Sequence, residues 1–468
     1  MQRATWRVAG VSAVVGMAAL SALIGAPAAG ASGPPAIDPG QLPAAAAPAP
    51  PFPVEPANAC INTFTVPSPA HPPAQAFLDV EAAWRWSRGA GQTVAVIDTG
   101  VARHPRLPQL VGGGDYVATS DGTEDCDSHG TVVAGLIGAQ PSSADGFAGM
   151  APDARIISIR QSSEIYRPKG TQPNPNDPKN GGGVGTTTTL AQAVRTAADS
   201  GATVINISEV ACGPGGTVAD LALGAAVQYA VQVKDVVIVA AAGNNDNPAC
   251  KAGNADIDPL HPAADPWDGL RTAVTPAWYD SYVLAVGATD LNGQPSKFTV
   301  PGPWVGVAAP GEEIVSLDPH SAGLINATQP PNGQRNALAG TSFAAPYVAG
   351  LAALVRSRYP QLSATEVIKR IEATAHRPPE GWNEWVGFGS IDPMAALTHE
   401  VPPDLALEKK PTALAPAARA LPVPQSAPEP DHTSRNVALI GSGIVGVLLV
   451  LGVLASFPLR HALRRDDE

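Results

Sequence analysis

Three polar side chains in this 468-residue chain stand where short apolar runs end or begin, and each is of a type that moves protons or attacks carbonyls. Asp98 closes "VAVIDTGV", His129 sits in "DSHGTVVAGLIG", and Ser342 sits in "GTSFAAPYVAGL". Singly, each has an ordinary reading: a turn-forming Asp, a loop His beside Gly, a Ser capping an apolar helix. Together they supply what acyl transfer needs. A serine hydroxyl hardly ionises at neutral pH, so it must lose its proton to a neighbouring base as it attacks, and that base needs a group to orient it. The order Asp, His, Ser is one of the known chain orders for such a triad.

Side chains so far apart in sequence meet only if rigid elements carry them to one place. "TVAVID" (93–98), "RIISIR" (155–160), "TVINIS" (203–208), "VVIVAAA" (236–242) and "VLAVGAT" (283–289) are short apolar runs rich in β-branched residues. Helical patterns lie between several of them, as at 189–201 and 218–233. Such a pattern predicts an α/β fold, an open parallel sheet with helices on both faces. Functional groups of such sheets gather at the carboxyl edge. Ser342 would open a helix, whose positive end favours a transient anion, with Pro346 in the first turn, where a missing N–H costs little. Ser363 and Glu366 have the spacing of a capping box before a further helix. The insertion 162–188 is too rich in Gly, Pro and Asn to pack, and is expected as an exposed loop.

Composition bounds how much of the chain folds. Residues 1–31 carry Arg3 and Arg7, an apolar stretch and a small-x-small pair at Ala29 and Ala31, which reads as a secretory signal cleaved before Ser32; an uncleaved anchor is the alternative. Residues 32–75 and 401–436 are rich in Pro and Ala and read as wrapping or linking segments. Between them, 76–400 gives about 320 residues, enough for one large domain. The uncharged run 437–457 is long enough to cross a bilayer, and Arg460, Arg464 and Arg465 in the tail 458–468 place that tail in the cytoplasm. The domain is then held at the cell membrane, on its outer side. A net charge of −12 with no Lys/Arg-rich run argues against nucleic acid as a partner. Cys60, Cys126, Cys212 and Cys250 in an exported chain suggest two disulfides; no CxxC spacing supports a metal site, and no cofactor is implied.

The segments "VAVIDTGV", "SHGTVVAG" and "GTSFAAPYVAG" resemble the three signature segments of the subtilisin-like serine proteases, and "VAAAGNND" (239–246) resembles the one that carries that family's oxyanion Asn. The resemblance implies Ser342 as nucleophile, His129 as general base and then acid, Asp98 as the orienting carboxylate, and Asn244 as oxyanion donor beside the Ser342 N–H. It also implies that Ser208, Glu209 and Val210 lie along bound substrate, where the family usually has a Leu-Gly-Gly type of segment. Side chains in place of glycines narrow the pocket, or Glu209 favours a basic residue before the scissile bond, or Glu209 faces solvent. In the resembled fold Cys212 and Cys250 follow neighbouring strands and would pair, leaving Cys60 to Cys126.

A Pro-rich N-terminal segment, these cysteines, a long loop and one C-terminal apolar run resemble the mycosins, proteases of actinobacterial type VII secretion systems. That implies protein or peptide substrates and secretion membrane components as partners, with an N-terminal segment that wraps the domain. A structural subunit of the secretion complex and a general degradative protease are the competing functions.

Overall fold

Runs that are apolar on both faces leave water only inside a sheet covered on both sides. The computed structural model describes residues 33–66, 71–171, 183–215, 218, 220–258, 261, 264–330, 333–409 and 433–463. The expected signal segment and most of the second Pro-rich linker lie outside them. In chain order come β1 (Val54–Pro56), β2 (Asn62–Thr65), the short helices α1 (Pro73–Leu78) and α2 (Val80–Ala83), β3 (Thr93–Asp98), β4 (Leu110–Asp115), α3 (His129–Gly138), β5 (Arg155–Arg160) and β6 (Tyr166–Pro168). There follow α4 (Thr187–Asp199), β7 (Val204–Ile207), β8 (Ala211–Pro214), α5 (Leu221–Gln232), β9 (Val237–Ala241), β10 (Thr272–Thr275), β11 (Val283–Thr289) and β12 (Val305–Pro310). The remainder are β13 (Ser316–Leu317), β14 (Leu324–Gln329), β15 (Asn336–Ala337), α6 (Thr341–Arg358), α7 (Ala364–Thr374), α8 (Pro393–Thr398) and α9 (Thr433–Leu463).

Seven strands form the central sheet in the order β12-β11-β9-β7-β3-β5-β4, and every neighbouring pair is parallel. The α/β fold expected from the sequence is the fold observed. The five runs of β-branched residues supply its middle, and β7, β9, β11 and β12 are buried along their whole length. The outer strands β4 and β12 were not legible: "LVGGGD" and "VGVAAP" hold Gly and Pro, which weaken a strand signal. Gly113 belongs there for a packing reason. A Cβ on it would stand 2.4 Å from Ile157 Cγ2 on the neighbouring strand.

Helix α6 runs under the sheet and is buried from Thr341 to Val355, as a helix apolar on every side must be. It packs against β7, β9, β11, β12 and α3, while α4 and α5 pack on each other. Pro346 does not fall in its first turn. The helix begins at Thr341, so Pro346 lies inside it and removes the N–H that would have bonded the Ser342 carbonyl. That carbonyl instead accepts the Ser208 hydroxyl at 2.8 Å, and Ser208 Oγ in turn accepts from Asn206 Nδ2 at 2.9 Å. The Ser363–Glu366 capping box at α7 is present as expected.

The N-terminal segment is stitched into the domain by β1 pairing with β6 and β2 with β14, both antiparallel. Part of the insertion 162–188 therefore packs after all. Ile165 and Val184 are buried, and Asp127 accepts from the Ser163 hydroxyl and from the Glu164 and Ile165 N–H groups. Its residues 172–182 lie outside those described. Two disulfides join Cys60 to Cys126 and Cys212 to Cys250, with Cα separations of 4.5 and 5.1 Å. The helix α9 belongs to a second unit of the chain. Its stretch Thr433–Phe457 is 25 residues long and holds an 18-residue window of mean hydropathy 2.7, long and apolar enough to cross a membrane.

Candidate active site

Asp98 ends β3 at the carboxyl edge of the sheet and is wholly buried. The Thr99 N–H donates to its Oδ1 at 2.7 Å, which fixes the carboxylate. His129 is the first residue of α3, entered through Ser128 at φ +64°, and its Nδ1 lies 2.7 Å from the same Oδ1. The other ring nitrogen, Nε2, is 3.0 Å from Ser342 Oγ at the start of α6. Three residues from three elements thus form one line. With the proton on Nδ1, the imidazole donates to Asp98 and leaves Nε2 to accept from the Ser342 hydroxyl.

Close packing behind His129 holds the line straight. Gly130 passes so near Gly100 that a Cβ would sit 2.0 Å from the Gly100 carbonyl oxygen, and its N–H donates to Thr99 Oγ1 at 2.9 Å. Thr99 Oγ1 donates to Asp125, whose other oxygen accepts from the Thr131 N–H and hydroxyl. Burial pushes the Asp125 carboxyl up, against those Thr hydrogen bonds. The sequence does not mark Thr99, Asp125 and Thr131 as part of the site, although "DCDSHGT" places an acid and a hydroxyl on either side of the histidine. The Phe343 ring, 5.1 Å from the imidazole, completes the wall.

Electrostatics favour a charged imidazole. Burial works against the charge on His129, but Asp98, by charge and by hydrogen bond, raises the pKa well above 6.5, helped by Glu209 and Asp125. Asn244 Oδ1 accepts from the Thr341 N–H (3.0 Å) and hydroxyl (2.8 Å), which fixes the orientation of its amide. A Cβ on Gly340 would lie 3.1 Å from both Asn244 Nδ2 and Ser342 Oγ. Glycine keeps open the space between hydroxyl and amide.

The Ser208–Val210 segment divides in three directions. Ser208 turns inward to the Ser342 carbonyl, Val210 packs half-buried against the core, and Glu209 leans over His129 with Oε1 3.8 Å from Nδ1. Glu209 thus faces the imidazole, and its side chain is about a third exposed (34%). Burial and the Asp98 charge push its carboxyl up, against the attraction of His129. Cys126, just ahead of His129, is tied to Cys60, and the neighbouring Ile61 is bonded to the same loop by its N–H to the Cys126 carbonyl and its carbonyl to Ser128 Oγ.

A parallel α/β sheet with Asp, His and Ser meeting at one edge in this chain order defines a class, the subtilisin-like serine proteases. The model of the subtilase family (Peptidase S8) matches residues 89–389. Mycosin-4 of Mycobacterium tuberculosis is 48% identical over 95% of this chain and 94% of its own. A crystal structure of MycP1 from the ESX-1 type VII secretion system superposes with a TM-score of 0.72 at 45% identity, covering 80% of this chain and 98% of that one. A chain of an intact ESX-5 inner membrane complex gives 0.74 at 42%, covering 90% and 98%. The chain belongs to the subtilase family of serine proteases, in its mycosin branch.

Proposed function

We propose that the protein is a membrane-anchored, extracytoplasmic endopeptidase that cleaves exported proteins through an acyl-enzyme, within a type VII secretion system. The hydrogen-bonded line from Asp98 through His129 to Ser342 carries this reading. Ser342 Oγ attacks the scissile carbonyl as its proton passes to His129 Nε2, and the imidazolium is stabilised by Asp98. The developing oxyanion takes hydrogen bonds from Asn244 Nδ2 and the Ser342 N–H at the positive end of α6. His129 then returns its proton to the leaving amine, and water repeats the sequence to release the acyl group. Loss of an oxyanion donor such as Asn244 costs about 10² to 10³ in kcat, a magnitude known from a subtilisin, a member of the same family.

The anchor is α9, with residues 437–457 in the bilayer and 458–468 inside, because Arg460, Arg464 and Arg465 follow the apolar run. Residues 1–31 serve as the export signal, 32–75 wrap the domain 76–400, and 401–436 link it to the anchor. No nucleic acid takes part. A second reading, a mainly structural subunit of the secretion complex, is favoured by the likeness to a chain of the ESX-5 inner membrane complex. N-terminal proteomics of the secreted fraction separates the two, comparing wild type, Ser342→Ala and deletion strains. The endopeptidase reading expects specific new N-termini in wild type that are missing from Ser342→Ala; identical N-termini in those two strains would overturn it. Secretion lost in the deletion strain but kept in Ser342→Ala, with the specific N-termini missing from Ser342→Ala, would show both roles in one chain.

A further inference from the structure

Glu209 is not used by the mechanism above, yet it brings a second carboxylate to the imidazole that the mechanism depends on. One ligand-type atom each from Asp98, His129 and Glu209 lies within 4.8 Å of the others. His129 Nδ1 is 2.7 Å from Asp98 Oδ1 and 3.8 Å from Glu209 Oε1. Asp98 Oδ2 is buried and accepts no hydrogen bond among the described residues. Among the described residues His129 is the one ion-pair partner of the Glu209 carboxylate. Other acids face the cluster: Asp125 behind His129, and Asp127 and Glu164 beside Glu209, with Arg160 near Asp127 as the compensating cation. The field at the cluster is negative and its donors are one imidazole nitrogen and two carboxylates.

We propose that Asp98, His129 and Glu209 form an inhibitory zinc site, in which Zn²⁺ replaces the proton held between Asp98 and His129. This rests on the triad reading for its inhibitory effect, though not for binding. One neutral imidazole and two carboxylates, with water at a fourth position, are a donor set that Zn²⁺ takes readily, whereas Mg²⁺ and Ca²⁺ prefer oxygen alone. Bonds of about 2.0–2.2 Å in a tetrahedron put neighbouring donor atoms about 3.4 Å apart. The 2.7 Å contact must therefore open by about 0.7 Å and the 3.8 Å contact close by about 0.4 Å, and His129 and Glu209 both have a solvent-facing side on which to move. The Nδ1 proton leaves to solvent. An imidazole held by metal at Nδ1 no longer has Asp98 to stabilise its charge and is turned from Ser342, so it cannot take the serine proton.

Binding is tested on the full-length Ser342→Ala protein in detergent, titrated with zinc chloride in a calorimeter, so that no peptidase activity is needed. One zinc per chain is expected, with affinity reduced at least about tenfold on adding either Glu209→Gln or His129→Gln. In wild type, zinc over the same range inhibits peptide cleavage, and EDTA restores it. No saturable binding, or affinity unchanged by either substitution in a chain with a wild-type circular dichroism spectrum, overturns the proposal. Failure of the triad reading shows differently: zinc binds as expected while the wild-type chain cleaves no peptide.

Discussion

Asp98 offers His129 one oxygen already committed to the Thr99 N–H, and Glu209 offers the same nitrogen a second carboxylate from the cleft side. The imidazolium is thereby favoured, and the sign of the consequence for activity follows. A general base must be neutral to act, and a raised pKa means that the neutral form appears only as pH climbs through it. In zinc-free buffer kcat/KM is expected to rise with pH with a midpoint above the ordinary 6.5 of histidine. Glu209→Gln removes one of the charges responsible, so the midpoint moves to lower pH. A profile that Glu209→Gln leaves in place would show that Glu209 does not act on His129. The sequence marked Glu209 as the departure from the family's pattern. It did not reveal the direction of its side chain, which depends on where β7 ends relative to α3, two elements far apart in the chain.

Helix α6 carries Ser342 and also a proline that breaks its hydrogen-bond ladder, and the repair comes from another element. Ser208, just past β7, donates to the Ser342 carbonyl that Pro346 leaves unpaired. Ser208→Ala strands that buried carbonyl at a cost of about 1–3 kcal/mol. It is expected to lower both the Tm and kcat. Pro346→Ala in the same chain restores an N–H to the helix and is expected to recover part of each loss, measured by thermal melts and peptide kinetics. If Ser208→Ala behaves as wild type, or Pro346→Ala gives no recovery, the coupling is wrong. From sequence, taking Ser342 as the helix start puts Pro346 in the first turn, because the sequence does not display the partner of the Ser342 carbonyl. The middle strands β3, β5, β7, β9 and β11 were legible because burial on both faces leaves a continuous apolar run. Strands β4 and β12 were not, since their glycines answer to close packing of neighbours that a single sequence does not display.

At the scale of the whole molecule, the chain holds its protease domain together at its margins. The Cys60–Cys126 disulfide and the β1–β6 and β2–β14 pairings fasten the N-terminal segment beside His129, while α9 belongs to a second unit. The apolar run 437–457 was plain in the sequence because nothing but length and hydropathy defines it. Ending the chain after Pro430 is expected to move the protease from the carbonate-resistant membrane fraction to the supernatant; a truncated chain that stays with the membrane would exclude α9 as the anchor. On this reading the tethered chain carries one activated serine. The decisive experiment treats intact membranes bearing the full-length protein with a fluorophosphonate and locates the label by peptide mass spectrometry. One phosphonyl group per chain is expected, on Ser342, and none when His129 is replaced by Ala. Labelling at another residue, or at Ser342 with undiminished rate in His129→Ala, would contradict it.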